Sequence, residues 1–179
     1  NDKGRNDFLW VDDNIKMSRL YVVSAAKDAN GKREPRKLTN DNRQVTGFDW
    51  SPDGSRIVFS HVKSPVANDW PSSDVAIVEV ATAKMTPFAT TAAAETSPNF
   101  SRDGKWISMV VSDLPVRWAQ SNNIVVFPVA GGGTPKKMAL SHDGQPNIVG
   151  WSADNSKIYF TEAKGAGTSL YSANVAAGT

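Results

Sequence analysis

The stretch from Phe48 to Ser60 (Phe48-Asp49-Trp50-Ser51-Pro52-Asp53-Gly54-Ser55-Arg56-Ile57-Val58-Phe59-Ser60) leaves the backbone little choice. Two runs with β-branched and aromatic residues flank Ser51-Pro52-Asp53-Gly54. That order suits a type I turn: serine first, then a proline with φ already set, then aspartate, and glycine last. The stretch therefore reads as strand, tight turn, strand. It recurs about 50 residues on as Phe100-Ser101-Arg102-Asp103-Gly104-Lys105-Trp106-Ile107, and again as Trp151-Ser152-Ala153-Asp154-Asn155-Ser156-Lys157-Ile158. Asn155 takes the glycine position, and asparagine is one of the few other residues that tolerate a left-handed backbone. A repeat of this length built from short strands marks a β-propeller blade.

The expected fold is all-β: a β-propeller fragment of about four four-stranded antiparallel blades, the first and last incomplete, in a single partial domain over residues 1–179. The first blade, about residues 7–40, holds strands at Asp7–Asp12 and Arg19–Ser24 and a short outer strand at Pro35–Thr39, where proline and charge suit a sheet edge. The second, 45–90, runs through Thr46–Trp50, Arg56–His61, Asp74–Val80 and Thr86–Ala89. The third, 96–140, repeats this at Pro98–Phe100, Trp106–Val111, Asn123–Val129 and Lys136–Ala139. The fourth, 147–179, supplies Ile148–Trp151, Lys157–Glu162 and Ser169–Asn174. Val80-Ala81 before Thr86-Pro87 answers Val129-Ala130 before Thr134-Pro135 at the outer hairpin. No helix is needed; Ala89–Glu95, in a link between blades, is the one weak candidate. The expectation is a piece of a larger propeller. Blades bury their faces against neighbours, so an open arc leaves two faces bare, and self-association through them is expected.

The chemistry classes excluded are many. Twenty basic and 18 acidic residues among 179 give a net charge of +2, which offers no strong pull on nucleic acid. The one basic run, Lys32-Arg33-Glu34-Pro35-Arg36-Lys37, reads as a solvated loop and outer strand. No apolar run approaches the roughly 18 residues of a membrane span. Neither nucleic acid nor membrane is an expected partner. Cysteine is absent, which removes disulfides and thiolate metal sites. A serine hydrolase needs a nucleophile on an elbow such as Gly-x-Ser-x-Gly with a histidine base, and no such elbow occurs. His61, ending a strand, and His142, in a link between blades, read as ordinary surface or strand-end histidines. No catalytic, metal or cofactor residue is assigned.

Three further patterns reduce to turns. Gly131-Gly132-Gly133-Thr134-Pro135-Lys136-Lys137 lacks the order of a phosphate cradle and reads as a hairpin. Asp28-Ala29-Asn30-Gly31 opens like a calcium loop but lacks the later ligands. Asp53, Asp103 and Asp154 recur because the turn needs them. Trp50, Trp106 and Trp151 occupy repeated strand positions and are expected in the core, with Trp10 among them.

The best functional candidates lie in the long loops between second and third strands. Val62–Ser73 holds Trp70; Ser112–Asn122 holds Asp113, Arg117 and Trp118. Successive blades carry such loops on one face, so the two should be neighbours. Trp70, Arg117 and Trp118 have the composition of a recognition surface for a substrate or partner. The competing reading packs both tryptophans onto the base of their own loops.

The turn module and the strands after it resemble the propeller domain of prolyl oligopeptidase-family serine peptidases, which includes dipeptidyl peptidase IV-like and acylaminoacyl-peptidase-like enzymes. The segments Glu95 to Ile107, Asn123 to Gly132 and Ala67-Asn68-Asp69-Trp70 carry the likeness. TolB-type propellers of the bacterial envelope carry the turn module too. The resemblance implies a non-catalytic propeller that gates and positions peptide substrates for a separate α/β-hydrolase domain, which is absent from these 179 residues. It implies that domain and the peptide as partners, and a bacterial periplasm or cytoplasm as compartment. There is no Glu-Glu step of the kind that holds a substrate amino terminus in the dipeptidyl enzymes. The rival reading is a TolB-like scaffold that binds a protein partner with no enzyme attached.

Overall fold

The computed structural model describes residues 15–176, which form four antiparallel sheets. The first pairs β1 (Tyr21–Val22) with β2 (Arg36–Lys37). The second runs β3 (Gln44–Trp50), β4 (Arg56–Val62), β5 (Asp74–Glu79), β6 (Met85–Ala89). The third runs β7 (Glu95–Phe100), β8 (Trp106–Ser112), β9 (Asn122–Pro128), β10 (Lys136–Lys137). The fourth runs β11 (Asn147–Trp151), β12 (Lys157–Lys164), β13 (Gly167–Asn174). Within each sheet every strand pairs with its neighbour in sequence, so each sheet is a meander. The all-β, partial-propeller expectation holds. The strand expected at Asp7–Asp12, and Trp10 within it, lie outside the described residues.

Two local expectations are corrected. Ala89–Glu95 forms no helix: its ends are strand residues of β6 and β7, and a link joins them. A 3-10 helix does occur, at Ala67–Ser72, inside the loop after β4. Its sequence gives no helical period, but two serines hold it. Ser64 Oγ donates to Asp69 Oδ2 at 2.5 Å, and Ser72 Oγ donates to the Asp69 carbonyl at 2.6 Å. Such side-chain bonds stabilise a single tight turn that no apolar periodicity announces.

The recurrent turns are built alike. The Gly54 N–H donates to the Ser51 carbonyl at 2.9 Å, closing the turn. Ser51 Oγ donates to Asp53 Oδ1 at 2.6 Å, while the Ser55 N–H donates to the same oxygen at 3.0 Å. The Arg56 N–H donates to Ser51 Oγ at 2.9 Å. Ser101 with Asp103, and Ser152 with Asp154, repeat this at 2.6 Å each. Gly54, Gly104 and Asn155 all have positive φ, of 69, 69 and 60°. Asn155 thus meets the left-handed requirement inferred for it. These bonds hold the Asp53 and Asp154 carboxyls near 2, well below the ordinary 3.8; in each the preceding serine hydroxyl is the leading cause.

The sheets pack face against face. Leu20 and Leu38 of the first meet Ile57, Phe59 and Val78 of the second. Val58 and Val75 of the second meet Phe100, Ile107 and Met109 of the third. Val126 and Met138 of the third meet Trp151, Ile158 and Phe160 of the fourth. Truncating a fully buried ring such as Phe59 would cost about 3–5 kcal/mol.

The tryptophan expectation needs correction. The last residue of each inner strand is aromatic: Trp50, Phe100 and Trp151. Phe100 lies beneath the Arg56 guanidinium of the second sheet, 5.8 Å from its centroid. Trp151 is buried and donates its indole N–H to the Asn99 carbonyl of the third sheet at 3.2 Å. Trp50 instead is 41% exposed, because it points toward the first sheet, whose described strands are β1 and β2 alone. Trp106 is half-buried, with the Lys136 ammonium 5.0 Å from its ring centroid.

Candidate functional site

Antiparallel meanders put successive connections at opposite ends. The three serine–aspartate turns and the hairpins after β5 and β9 occupy one end. The long loops after β4 and β8, and the links between sheets, occupy the other. Every candidate residue read from the sequence lies at this second end, called here the loop face.

The two long loops do meet. Trp70, in the 3-10 helix, and Trp118, in the loop after β8, have ring centroids 5.2 Å apart and a tilt of 56° between planes. Trp118 is 73% exposed, whereas Trp70 is half-buried beneath it. Neither sequence reading fully described this: the rings pack on each other across two sheets. Arg117 is exposed and donates from Nη2 to Asp113 Oδ2 at 3.1 Å, one turn of chain earlier. That ion pair lies within the loop that carries Trp118.

Several buried polar atoms at this end reach no protein partner: Trp70 Nε1, Asp113 Oδ1, Gln120 Oε1, Asn123 Oδ1 and Glu95 Oε2. Register brings three strands of the third sheet into one row here, with Glu95 opposite Val111 and Val111 opposite Asn123. Directly paired residues share a face of the sheet, so Glu95 and Asn123 flank Val111 on the side packed against the second sheet. Four of the five atoms are acceptors.

Glu95 was not anticipated from the sequence. It is wholly buried at the start of β7. Its Oε1 accepts from the Thr91 N–H at 3.2 Å and from the Thr91 hydroxyl. Its backbone joins the second sheet: the Ser73 hydroxyl donates to the Glu95 carbonyl at 2.6 Å, and the Glu95 N–H donates to the Ser73 carbonyl at 2.8 Å. Burial pushes the carboxyl above its usual range, against the pull of the Thr91 bonds. Glu162 has the same job one sheet on. Ser141 Oγ and the Gln145 N–H donate to its Oε1 at 2.5 and 2.8 Å, and the Asp143 N–H donates to its Oε2 at 3.0 Å. Burial alone would raise this carboxyl, but the three donors together outweigh it and lower it. A lone glutamate near a strand carries no signal in one sequence; only its distance from the link, folded back, reveals it.

The histidines and turn motifs do not assemble with this surface into a reacting centre. His61 is buried on β4, with the Arg43 guanidinium 3.1 Å from its Nε2. Burial first, and then the Arg43 charge, lower its pKa. His142 sits in the link after β10. Asp28 Oδ1 accepts from the Asn30 and Lys32 N–H groups at 2.9 and 2.7 Å, which makes that stretch a turn. Gly131 and Gly132 have positive φ in the hairpin after β9, where a Cβ on Gly133 would lie 2.7 Å from Pro128. Among the described residues no cluster of three histidine or acidic side chains could hold a metal. Nor is any helix there long and apolar enough to cross a membrane.

Sheets of this kind, packed face to face about adjacent inner strands, define a β-propeller with a loop-borne surface. Among solved structures the chain is similar to TolB from Acinetobacter baumannii, with 15% identity and a TM-score of 0.61 over 86% of this chain and 35% of that one. It is also similar to the β-propeller domain of the trilobed protease from Pyrococcus furiosus, with 12% identity and a TM-score of 0.56 over 78% of this chain and 42% of that one. An acylaminoacyl peptidase gives 10% identity and a TM-score of 0.54 over 76% of this chain and 24% of that one. The chain therefore spans well under half the length of these proteins. No protein-family model matches the sequence, and no curated protein does. The likeness is one of fold, shared by peptidase propellers and TolB alike.

Proposed function

We propose that this chain is a non-catalytic propeller of a prolyl oligopeptidase-type serine peptidase, gating and positioning peptides for a separate α/β-hydrolase domain. The peptide would meet the loop face at Trp70, Arg117 and Trp118. The observation that carries this reading is the Trp70–Trp118 contact. It joins loops of two different sheets into one aromatic surface, and Arg117, adjacent in sequence to Trp118, is paired with Asp113. Structural similarity to two peptidase propellers supports the choice of parent.

The second reading is a TolB-like scaffold whose loop face binds a protein. The TM-score of 0.61 to TolB favours it. The coding sequence after Thr179 separates the two. A Gly-x-Ser-x-Gly elbow followed by an aspartate and a histidine within a few hundred residues supports the peptidase; further blades and then a stop support the scaffold. Titration with short peptides, followed by tryptophan fluorescence, tests the surface itself. Binding that Trp118→Ala leaves unchanged would remove these residues from the assignment.

A further inference from the structure

Successive sheet interfaces can be compared position by position, because β-register aligns them. Glu79 of β5 pairs with Arg56, Pro128 of β9 with Trp106, and Asn174 of β13 with Lys157. Phe127 therefore corresponds to Ala173. On the facing outer strands Thr86 pairs with Ile77 and Lys136 with Val126, so by residue count Phe88 corresponds to Met138, with a register shift that sets Ala89 opposite Val75. Between the second and third sheets Phe88 and Phe127 pack edge-on, 6.1 Å between centroids. Between the third and fourth sheets the same two places hold methionine and alanine. The aromatic pair there lies on β12 and β13 instead, with Phe160 stacked on Tyr171 at 5.5 Å.

At the neighbouring interface a space of about 470 Å³ is lined by Phe88 and Phe127 themselves, and at the interface of the third and fourth sheets lies a smaller one of about 240 Å³. Met138, Phe160, Tyr171 and Ala173 line its body, and Ser141 and His142 belong to its wall on the loop face. Leu140, also in its wall, is 68% exposed and marks where the space reaches the surface. The Tyr171 hydroxyl is buried and has no protein partner. We infer that this space is a binding site for a one-ring aromatic compound that carries a single hydrogen-bonding group, such as a phenol. The neighbouring interface holds two phenyl rings at the corresponding places, so a ring is the shape these sheets already accommodate. Its apolar body suits a ring, while Ser141 and His142 keep its mouth polar. The polar group gives the ligand a way to satisfy Tyr171, which a hydrocarbon lacks. The site is separate from the Trp70–Trp118 surface and does not depend on the peptidase reading.

Saturation-transfer NMR of the chain with phenol tests this. Binding is expected with a dissociation constant of the order of 1 mM, and benzene is expected to bind about tenfold more weakly. Ala173→Phe fills the space and should weaken phenol at least about tenfold. Should that variant fail to fold, Met138→Phe closes the space from the opposite sheet. Tyr171→Phe should bring phenol down to the level of benzene. No transfer to phenol at about ten times the expected constant overturns the inference, as does phenol binding that both filling variants leave intact. Benzene binding as tightly as phenol overturns the role given to the polar group.

Discussion

The Asp49 carboxylate accepts a hydrogen bond from the Phe100 backbone N–H at 2.8 Å, across the boundary between the second and third sheets. One sheet on, the Trp151 indole donates back to the Asn99 carbonyl, so each inner strand is fastened to the next by a single polar contact. Asp49→Ala leaves the Phe100 donor without its partner. It should destabilise the chain by about 1–3 kcal/mol, with Asp49→Asn losing less than half of that. Urea unfolding of the two variants measures both.

Acid should loosen the turns in a defined window. The Asp53 and Asp154 carboxyls lie near 2 in the folded chain, against 3.8 as the ordinary value. A carboxyl depressed by folding lends stability above its unfolded pKa, and that contribution fades as pH falls through the folded one. The loss should therefore run from about pH 4 down to about pH 2. Replacing both aspartates by asparagine should flatten the acid limb of the stability curve over that range, while leaving its shape near neutrality alone. Thermal melts between pH 2 and 7 test this.

The turns were legible because their chemistry is local: serine, aspartate and glycine act within five residues, and Asn155 declares its backbone by itself. The strand pattern followed from them. What one sequence could not show was which neighbour each residue would meet. Trp50 has the same place in its repeat as Trp151, yet is exposed, because burial depends on the sheet opposite and not on the repeat. Glu95 and Glu162 were missed for the same reason, since their roles exist only after the links fold back on them. The short 3-10 helix was hidden because two serine hydroxyls, and no apolar stripe, hold it. Trp70, Arg117 and Trp118 stood out because bulky aromatic and guanidinium groups are conspicuous in a loop; their contact across two sheets needed the fold.

The two tryptophans of the loop face should separate on mutation. Trp118 is mostly solvent-exposed, so Trp118→Ala should cost under about 1 kcal/mol of stability. Trp70 supports both its own loop and the Trp118 ring, and Trp70→Ala should cost about 2–3 kcal/mol. If the surface binds peptide, both variants lose that binding. Parallel melts and peptide titrations give the two readouts, and equal stability losses would contradict the layered packing.

The ends of the row of sheets carry apolar groups. Phe48 and Trp50 are 57% and 41% exposed at one end, and Tyr159 and Leu170 are 38% and 65% exposed at the other. Phe100 and Trp151 show how such inner-strand rings are covered, by insertion against another sheet. The isolated chain should therefore associate at high concentration, and Trp50→Ser should weaken association about tenfold. Sedimentation equilibrium checks this; a monomer of the parent chain at millimolar concentration would contradict it.

Two of the three links between sheets are gripped by one carboxylate reaching back from the sheet that follows, Glu95 for the link at 90–94 and Glu162 for that at 140–146. At these two junctions the spacing of one sheet from the next is thus encoded inside the unit that follows, with no reference to how many units there are. Such a module is additive in the manner of tiles cut with their own spacers. Gene duplication could lengthen or shorten a row of them without redesigning any joint, and ring size becomes a matter of copy number rather than of new chemistry.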